Sequence, residues 1–191
     1  MPHVAIAFDT MPMTDEQFFQ LCQANPEVKF ERNASGAILM MLPTGGRTGN
    51  FNSEITADFV FWNRISNSGK VFDSSTGFIL PNGAVRSPDV AWVRLERWEA
   101  LTPEQQSQFP PLCPDFVLEL RSPTDSLTDL QAKMQEYISN GAQLGWLINR
   151  QAQQVEIYTP VREVKRLQAP PSISGDPVLP GFVLNLAWLW N

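Results

Sequence analysis

The spacing of apolar side chains along the chain predicts two long helices. In the first, from about residue 51, apolar positions lie three or four residues apart: Phe51, Ile55, Phe59, Trp62 and Ile65. The second covers about 126–140 and repeats this spacing at Leu127, Leu130, Met134, Tyr137 and Ile138. Such spacing puts the apolar residues on one helix face, and Gly69 and Gly141 are typical of the ends. We expect both faces to pack on a core.

The polar stretch Thr14-Asp15-Glu16-Gln17 predicts the start of a third, shorter helix. A threonine followed three residues later by glutamine can form a capping box, in which each side chain binds a backbone amide of the other residue. Phe18, Leu21 and Cys22 follow at helical spacing. We therefore expect a helix at about 14–24.

Shorter apolar runs between turn residues predict the strands. Runs of this kind, bounded by Gly, Pro, Asn or Asp, are typical of β-structure. They occur at 28–33, 37–42, 71–73, 76–80, 85–93, 116–120, 144–149 and 155–158. The turn-rich residues 43–50 predict a loop, and the polar residues 94–112 predict an excursion with one helical turn.

The order of these elements predicts an α/β (α+β) fold, in which helices flank a mixed β-sheet. Helices inserted between strands indicate helical layers packed on a sheet. No repeat and no linker divides the sequence, so we expect one domain over residues 1–191. Its core should occupy about 14–160, and the proline-rich tail 160–191 should be loop with a short aromatic end.

Composition indicates a globular chain and excludes several kinds of site. Of its 191 residues, 43% are hydrophobic and 18% are charged. No apolar run approaches the roughly 20 residues of a membrane span. Cys22 and Cys113 lack the spacing of a metal motif or a disulfide framework, which favours a reducing cytoplasm. The only histidine, His3, lies near a terminus expected to be loose, which argues against a histidine triad or a zinc site.

The net charge of −6 argues against a nucleic-acid partner. Phosphate binding normally uses clustered Lys and Arg side chains. A local basic patch or bound cations can nevertheless reverse the sign of the potential near a site. Overall charge therefore leaves this class of partner open.

Glu119 is the first candidate for chemistry, because it interrupts an apolar strand. Side chains alternate along a strand, so Asp115, Val117, Glu119 and Arg121 share one face of it. A buried glutamate must be paired, protonated or bound to a metal. One alternative is an ion pair of Arg121 with Glu119 or with Asp115.

Asp89 is a second carboxylate at the start of an apolar strand. The dipeptide Pro88-Asp89 resembles Pro114-Asp115, which opens the strand that carries Glu119. If the two strands are neighbours, the carboxyl groups of Asp89 and Glu119 can converge on one cation. Hard oxygen ligands with positions left for water suit Mg²⁺ or Mn²⁺.

Lys133 borders the apolar stripe of the second long helix, so its ammonium can reach a site between helix and sheet. The alternative is a surface ion pair with Asp129, four residues earlier. Glu31 and Glu54 are weaker candidates. Glu54 falls in the first turn of its helix, where the helix dipole favours an acid in any case.

Several of these segments together resemble the Uma-type restriction endonuclease family of the PD-(D/E)XK nuclease superfamily. They are Ser87-Pro88-Asp89-Val90, the run from Pro114 to Pro123, Lys133 with Tyr137, and Trp146-Leu147-Ile148-Asn149. The similarity spans roughly residues 15–160. It implies a restriction-endonuclease-like fold and an active site made of Asp89, Glu119 and a basic residue.

One position departs from the superfamily pattern. Where Glu-x-Lys is expected, the chain has Glu119-Leu120-Arg121. The resemblance implies that the lysine has moved to the following helix, which makes Lys133 its substitute. Arg121 then clamps a phosphate or pairs with an acid.

The resemblance thus implies an endonuclease that depends on Mg²⁺ or Mn²⁺ and acts on nucleic acid, DNA in the first place. Its catalytic set would be Asp89, Glu119, Lys133 and Arg121, with Asp89 and Glu119 as metal ligands. We also expect a cytoplasmic protein that can form a homodimer through its aromatic tail. The alternatives are a catalytically silent binding or assembly module on the same fold, and a paired-carboxylate hydrolase of sugars.

Overall fold

The structure is a computed structural model, and it describes residues 3–6 and 13–190. Its helices are α1 (Asp15–Ala24), α2 (Gly46–Ser66), α3 (Leu95–Glu99), α4 (Pro103–Ser107) and α5 (Leu127–Ser139), followed by a 3-10 helix at Ala187–Trp190. Its strands are β1 (His3–Ile6), β2 (Lys29–Arg32), β3 (Ile38–Met41), β4 (Gly69–Asp73), β5 (Phe78–Ile79), β6 (Val85–Arg86), β7 (Val90–Arg94), β8 (Phe116–Leu120), β9 (Leu144–Asn149), β10 (Gln154–Tyr158), β11 (Lys165–Gln168), β12 (Ser172–Ser174) and β13 (Val183–Asn185).

Six strands form the main sheet, in the order β11-β10-β9-β8-β7-β4. β8 and β9 run parallel, and the other neighbours run antiparallel. Because parallel neighbours need a crossover connection, the chain passes through α5 between them. α5 packs on one face of the sheet and α2 packs on the other. The predicted α/β fold, a mixed sheet flanked by helices, is therefore confirmed.

The alternation of side chains along β8 decides which face carries chemistry. Phe116 stacks on Phe59 of α2, with ring centroids 5.0 Å apart. Val117 packs in the cluster that contains Met134 of α5. Glu119 lies two residues beyond Val117, and so it projects on the α5 side of the sheet.

A smaller sheet has the order β1-β3-β2-β6-β5. The sequence predicted one strand over 85–93, and this is wrong. β6 ends at Arg86 in the smaller sheet, and β7 begins at Val90 in the main sheet. Pro88 lies in the break and has no amide hydrogen to donate to a ladder. The chain therefore crosses from one sheet to the other at residues 87–89.

Other local predictions are confirmed, with three differences. Thr14 and Gln17 form the predicted capping box, and β2 and β3 form the predicted hairpin. The predicted loop 43–50 contains the first turn of α2, because an extended N-cap at Gly45 starts that helix early. The excursion contains two short helices instead of one turn. The N-terminal strand β1, expected to be loose, pairs with β3.

The C-terminal tail was predicted as a loop with a short aromatic end, outside a core of about 14–160, and the loop part of this prediction is wrong. β11 extends the main sheet by pairing with β10, and β12 pairs with β13. The tail buries six apolar residues in the core on the α2 side: Ile173, Leu179, Phe182, Leu184, Leu186 and Leu189. Trp188 and Trp190 pack against the same cluster. The aromatic end that was expected to offer a dimer surface is thus partly covered by the chain itself.

The helices and the two cysteines bear on expectations drawn from composition. Among the helices of residues 3–6 and 13–190, none has both the length and the apolar character that crossing a membrane requires. Cys22 and Cys113 are both free thiols.

The buried tail generates a stability prediction. Leu184 is fully buried, whereas the adjacent Val183 is 57% exposed. Leu184→Ala should therefore lower the free energy of unfolding by about 2–5 kcal/mol, because it leaves a cavity in the core. Val183→Ala, the matched control, should change it by less than about 1 kcal/mol. Urea denaturation measures both, and equal effects would contradict a tail that belongs to the core.

Candidate active site

A cavity of about 650 Å³ opens where the chain crosses from the smaller sheet to the main sheet. The charged side chains that line it include Glu31 from β2, Asp89 from the crossing, Glu119 from β8 and Lys133 from α5. All three carboxyl groups belong to buried residues. The structure thus brings together three of the four residues that the sequence predicted as catalytic.

Asp89 is held by hydrogen bonds at both carboxylate oxygens. Its Oδ2 accepts from the backbone amide of Leu120 at 2.8 Å, just beyond the last paired residues of β7 and β8. Its Oδ1 accepts from Nδ2 of Asn52 in α2 at 3.1 Å. Burial raises the pKa of Asp89, although the Leu120 amide and nearby lysines oppose this change. A cation in the cavity would favour its ionised form.

Glu119 is fixed from the helical layer. Its Oε1 lies 2.8 Å from Nζ of Lys133, and it accepts a hydrogen bond from the hydroxyl of Tyr137 at 3.1 Å. Burial raises the pKa of Glu119, and the negative charges of Asp89 and Glu31 act in the same direction. Lys133 opposes the rise without cancelling it.

Lys133 lies between two carboxylates. Besides Glu119, it donates to Oε1 of Glu31 at 2.9 Å, and its side chain is only 12% exposed. Burial alone would lower the pKa of Lys133, but the two carboxylates outweigh burial and raise it. Lys133 therefore remains an ammonium ion at neutral pH. In the described part of the chain, it pairs with these two acids instead of Asp129.

Glu31 was only a weak candidate in the sequence, yet it completes this cluster. Its Oε1 also accepts from the backbone amide of Ser87 at 3.0 Å, and its Oε2 accepts from Nη1 of Arg86 at 3.2 Å. Burial would raise the pKa of Glu31, but Lys133, Arg86 and Lys29 outweigh burial and lower it to about 2. No local pattern indicates that the hairpin carrying Glu31 docks beside β8.

Sequence reasoning also missed several supporting residues. Arg86 extends the cluster to Glu136 of α5, with Nε and Oε2 2.6 Å apart. Tyr137 was noted as a core residue and as part of the family resemblance but was given no role, although its hydroxyl binds Glu119. Asn52 was not considered, because nothing in the sequence indicates that the first turns of α2 reach Asp89.

Arg121 lies outside this cavity, although the sequence placed it in the catalytic set. Its Nε and Nη2 donate to the backbone carbonyl of Asp125, and its Nη1 donates to the side chains of Asn149 and Gln151. These contacts turn the guanidinium away from Glu119.

The ion pairs proposed for Arg121 do not form among residues 13–190. Asp115 instead pairs with Arg97, with Oδ2 and Nη1 3.0 Å apart. Glu54 is exposed on α2 and does not line the cavity. Both findings narrow the site to Asp89, Glu119, Lys133 and Glu31.

The residues present fit a hard divalent cation. Asp89 and Glu119 offer carboxylate oxygens on the wall of one cavity, and burial raises both pKa values as long as no cation compensates their charge. Among the described residues, no group of three or more His, Cys, Asp or Glu side chains is arranged to enclose a metal. Mg²⁺ needs no such cage, because it commonly keeps several waters and uses only one or two carboxylates.

Comparison with known proteins agrees with the fold. The model of the Uma2 family, described as "Putative restriction endonuclease", matches residues 15–187. A crystal structure described as "a putative nuclease belonging to DUF820 from Anabaena variabilis ATCC 29413" superposes with a TM-score of 0.77 and 20% identity. This similarity covers 94% of the present chain and 98% of that chain. No curated protein matches the chain significantly.

The depressed pKa of Glu31 generates a prediction on pH and stability. Its pKa is about 2 in the folded protein against an ordinary 4.5, so its ionised form stabilises the fold above pH 4.5. That contribution disappears as the pH falls toward 2. Glu31→Gln should therefore lower the free energy of unfolding by about 3 kcal/mol at pH 7 and by much less near pH 2.

Urea denaturation across this pH range measures the effect. Glu27→Gln is the matched control, because Glu27 is exposed two residues before β2. The control should behave like the wild type at each pH. A Glu31→Gln deficit that does not change with pH would contradict the electrostatic explanation.

Proposed function

The chain belongs to the Uma2 family, and on this premise we propose that it is a metal-dependent endonuclease. It hydrolyses phosphodiester bonds of nucleic acid, DNA in the first place. Asp89 and Glu119 hold Mg²⁺ or Mn²⁺, and Lys133 assists the reaction. One observation carries this proposal: Asp89, Glu119 and Lys133 come from three separate elements and line the same cavity.

When bound, the cation would lower the pKa of a coordinated water and offset charge on the scissile phosphate. The protein keeps the two ligands in place. Asp89 is oriented by Leu120 and Asn52, and Glu119 is oriented by Lys133 and Tyr137. Because these partners are themselves on regular elements, the carboxylates need little rearrangement before the reaction.

Lys133 supplies a fixed positive charge beside these ligands. An ammonium has three N–H donors, and Glu31 and Glu119 take two of them. The third can donate to a phosphate oxygen, where negative charge increases in the transition state. Glu31 keeps the ammonium in position, so we assign it a positioning role.

A silent binding module on this fold is the second candidate. It is favoured by the net charge of −6 and by the neutralisation of Lys133 by two carboxylates. Such a module has no reason to keep a divalent site. Metal binding therefore separates the two functions.

The carboxylate ligands generate the first activity prediction. Asp89→Asn and Glu119→Gln should each reduce Mg²⁺-dependent nicking of supercoiled plasmid by at least about a hundredfold, because each weakens cation binding at the reacting phosphate. Glu54→Gln is the matched control, since Glu54 is exposed and outside the cavity. Circular dichroism checks that each variant is folded. If folded Glu119→Gln nicks plasmid as fast as the wild type, the assignment of Glu119 as a metal ligand is wrong.

The lysine generates a separate prediction. Lys133→Gln keeps amide donors for Glu31 and Glu119 but removes the positive charge. We expect turnover to fall by about 10²- to 10³-fold, by analogy with the loss of one stabilising donor. Mn²⁺ affinity, measured by isothermal titration calorimetry, should stay equal or increase, because the ammonium repels a cation.

Two results would count against this role of Lys133. A parallel loss of Mn²⁺ affinity and turnover would indicate a structural lysine. If the wild type binds no Mn²⁺ and cleaves neither DNA nor RNA, the silent module is the better assignment.

A further inference from the structure

A second cavity, of about 780 Å³, lies next to the candidate active site. Its walls are the first turn of α2, residues 120–124, and Arg150 with Gln151 after β9. Residues 120–124 run from the last residue of β8 into the turn that follows it. Three arginines line it: Arg47, Arg121 and Arg150. Among the residues that the structure describes, no acidic residue lines it. In a chain with 20 acidic and 14 basic residues, such a local excess of positive charge requires an explanation.

These arginines have no carboxylate partner within residues 13–190. In the described structure, Arg121 donates to the backbone carbonyl of Asp125 and to the side-chain amide oxygens of Asn149 and Gln151. All three acceptors are neutral. Arg150 donates to the carbonyl of Leu189. By contrast, Arg32, Arg86, Arg97 and Arg166 all pair with acids.

Like charges also come close together in this cavity. Arg150 has a lowered pKa, first through burial and then through the positive charge of Arg47. Its guanidinium lies 3.8 Å from the ring centroid of Phe51, which holds it in place. Repulsion between positive groups is relieved when an anion binds between them.

The N-terminal end of α2 adds to the positive potential of this cavity. The helix has 21 residues, and its N-cap Gly45 provides no side-chain hydrogen bond, which leaves first-turn amides free for an anion. A Cβ at Gly45 or Gly46 would meet no atom within 4 Å, so the backbone there is open to a ligand. The hydroxyl oxygen of Thr44 is buried in the described structure without a hydrogen-bond partner.

The two cavities adjoin across the end of β8. Glu119 lines the first, Leu120 and Arg121 line the second, and Thr124 lines both. Glu119 and Arg121 are two residues apart, which is about 7 Å along an extended chain. Measured along the helix axis of duplex DNA, the phosphates of one strand follow one another at about 3.4 Å per nucleotide, and they are further apart along the winding strand itself. One strand can therefore reach both cavities.

We propose that the second cavity binds a backbone phosphate of nucleic acid. This phosphate is one or two nucleotides from the scissile phosphodiester at the site of Asp89 and Glu119. The identity of the ligand rests on the proposed endonuclease function. The arginines, the uncapped helix end and the open glycines bind the phosphate oxygens. They make no base-specific contact, so this cavity contributes affinity and register but no sequence preference.

Binding of a fluorescein-labelled 20-base-pair DNA duplex, followed by anisotropy in EDTA, tests this proposal without cleavage. Arg47→Gln removes an exposed charge from the cavity and should weaken binding by about three- to tenfold. It should also reduce the slope of log affinity against log salt by about one. Arg64→Gln is the matched control, because Arg64 is exposed near the other end of α2, about 26 Å along the axis. It should bind like the wild type.

Three results would overturn the proposal. In the first, the wild type does not bind the duplex. In the second, the Arg47→Gln variant binds as well as the wild type. In the third, Arg47→Gln and Arg64→Gln lose equal affinity for the duplex. A fourth arm uses inorganic phosphate and thermal unfolding. If phosphate stabilises the wild type but not Arg47→Gln, while DNA affinity is the same in both, the cavity holds a free anion and the nucleic-acid assignment fails.

The proposed endonuclease function can fail independently. Plasmid nicking depends on Asp89 and Glu119, whereas the anisotropy measurement needs no metal and no turnover. Normal DNA binding by Arg47→Gln in a chain that nicks plasmid would reject only the second cavity. An Arg47-specific loss of binding in a chain that never nicks DNA would reject only the catalytic function.

Discussion

The contact of Lys133 with Glu31 and Glu119 is the interaction on which the rest of the site depends. The carboxylate of Glu31 comes from the smaller sheet and that of Glu119 from the main sheet. The ammonium comes from α5, the helix that packs on the main sheet. Buried acids that lack a cation are strongly unfavourable, so this lysine makes their burial possible. Its two ion pairs join the smaller sheet, the main sheet and α5 at one point. The geometry of the candidate site and the stability of the fold are therefore coupled here.

The position of Asp89 follows from the break between β6 and β7. A continuous strand would have kept residues 87–89 in one ladder, with their amides and carbonyls engaged by a neighbouring strand. The break instead leaves Asp89 at the start of β7, where it accepts from the Leu120 amide next to Glu119. The same crossing puts the Ser87 amide on Glu31. One irregular segment thus positions both ends of the acidic cluster.

The parts of the site that were predictable are those with a local signature. Period-two alternation indicated the face of Glu119, and the helical stripe of α5 indicated that Lys133 borders the sheet. Glu31 was not assignable in this way, because its role depends on how a distant hairpin docks. The tail was misjudged for a related reason: its prolines suggested a loop, whereas its apolar residues find partners only on the assembled face of the main sheet. Local pattern predicted elements, and tertiary packing decided their partners.

The distribution of charge reconciles an acidic chain with the nucleic-acid ligand that we propose. Residues 119 and 121 are only two positions apart, yet their charges line different cavities, because neutral hydrogen-bond acceptors hold the guanidinium of Arg121 away from Glu119. In the first cavity, six acidic side chains outnumber two lysines and one arginine, so attraction for phosphate there depends on a bound cation. In the second, arginines and helix amides give a positive potential that needs no metal. In the function that we propose, separating the two cavities lets the protein bind the nucleic-acid backbone without the cation, while the reaction still requires it.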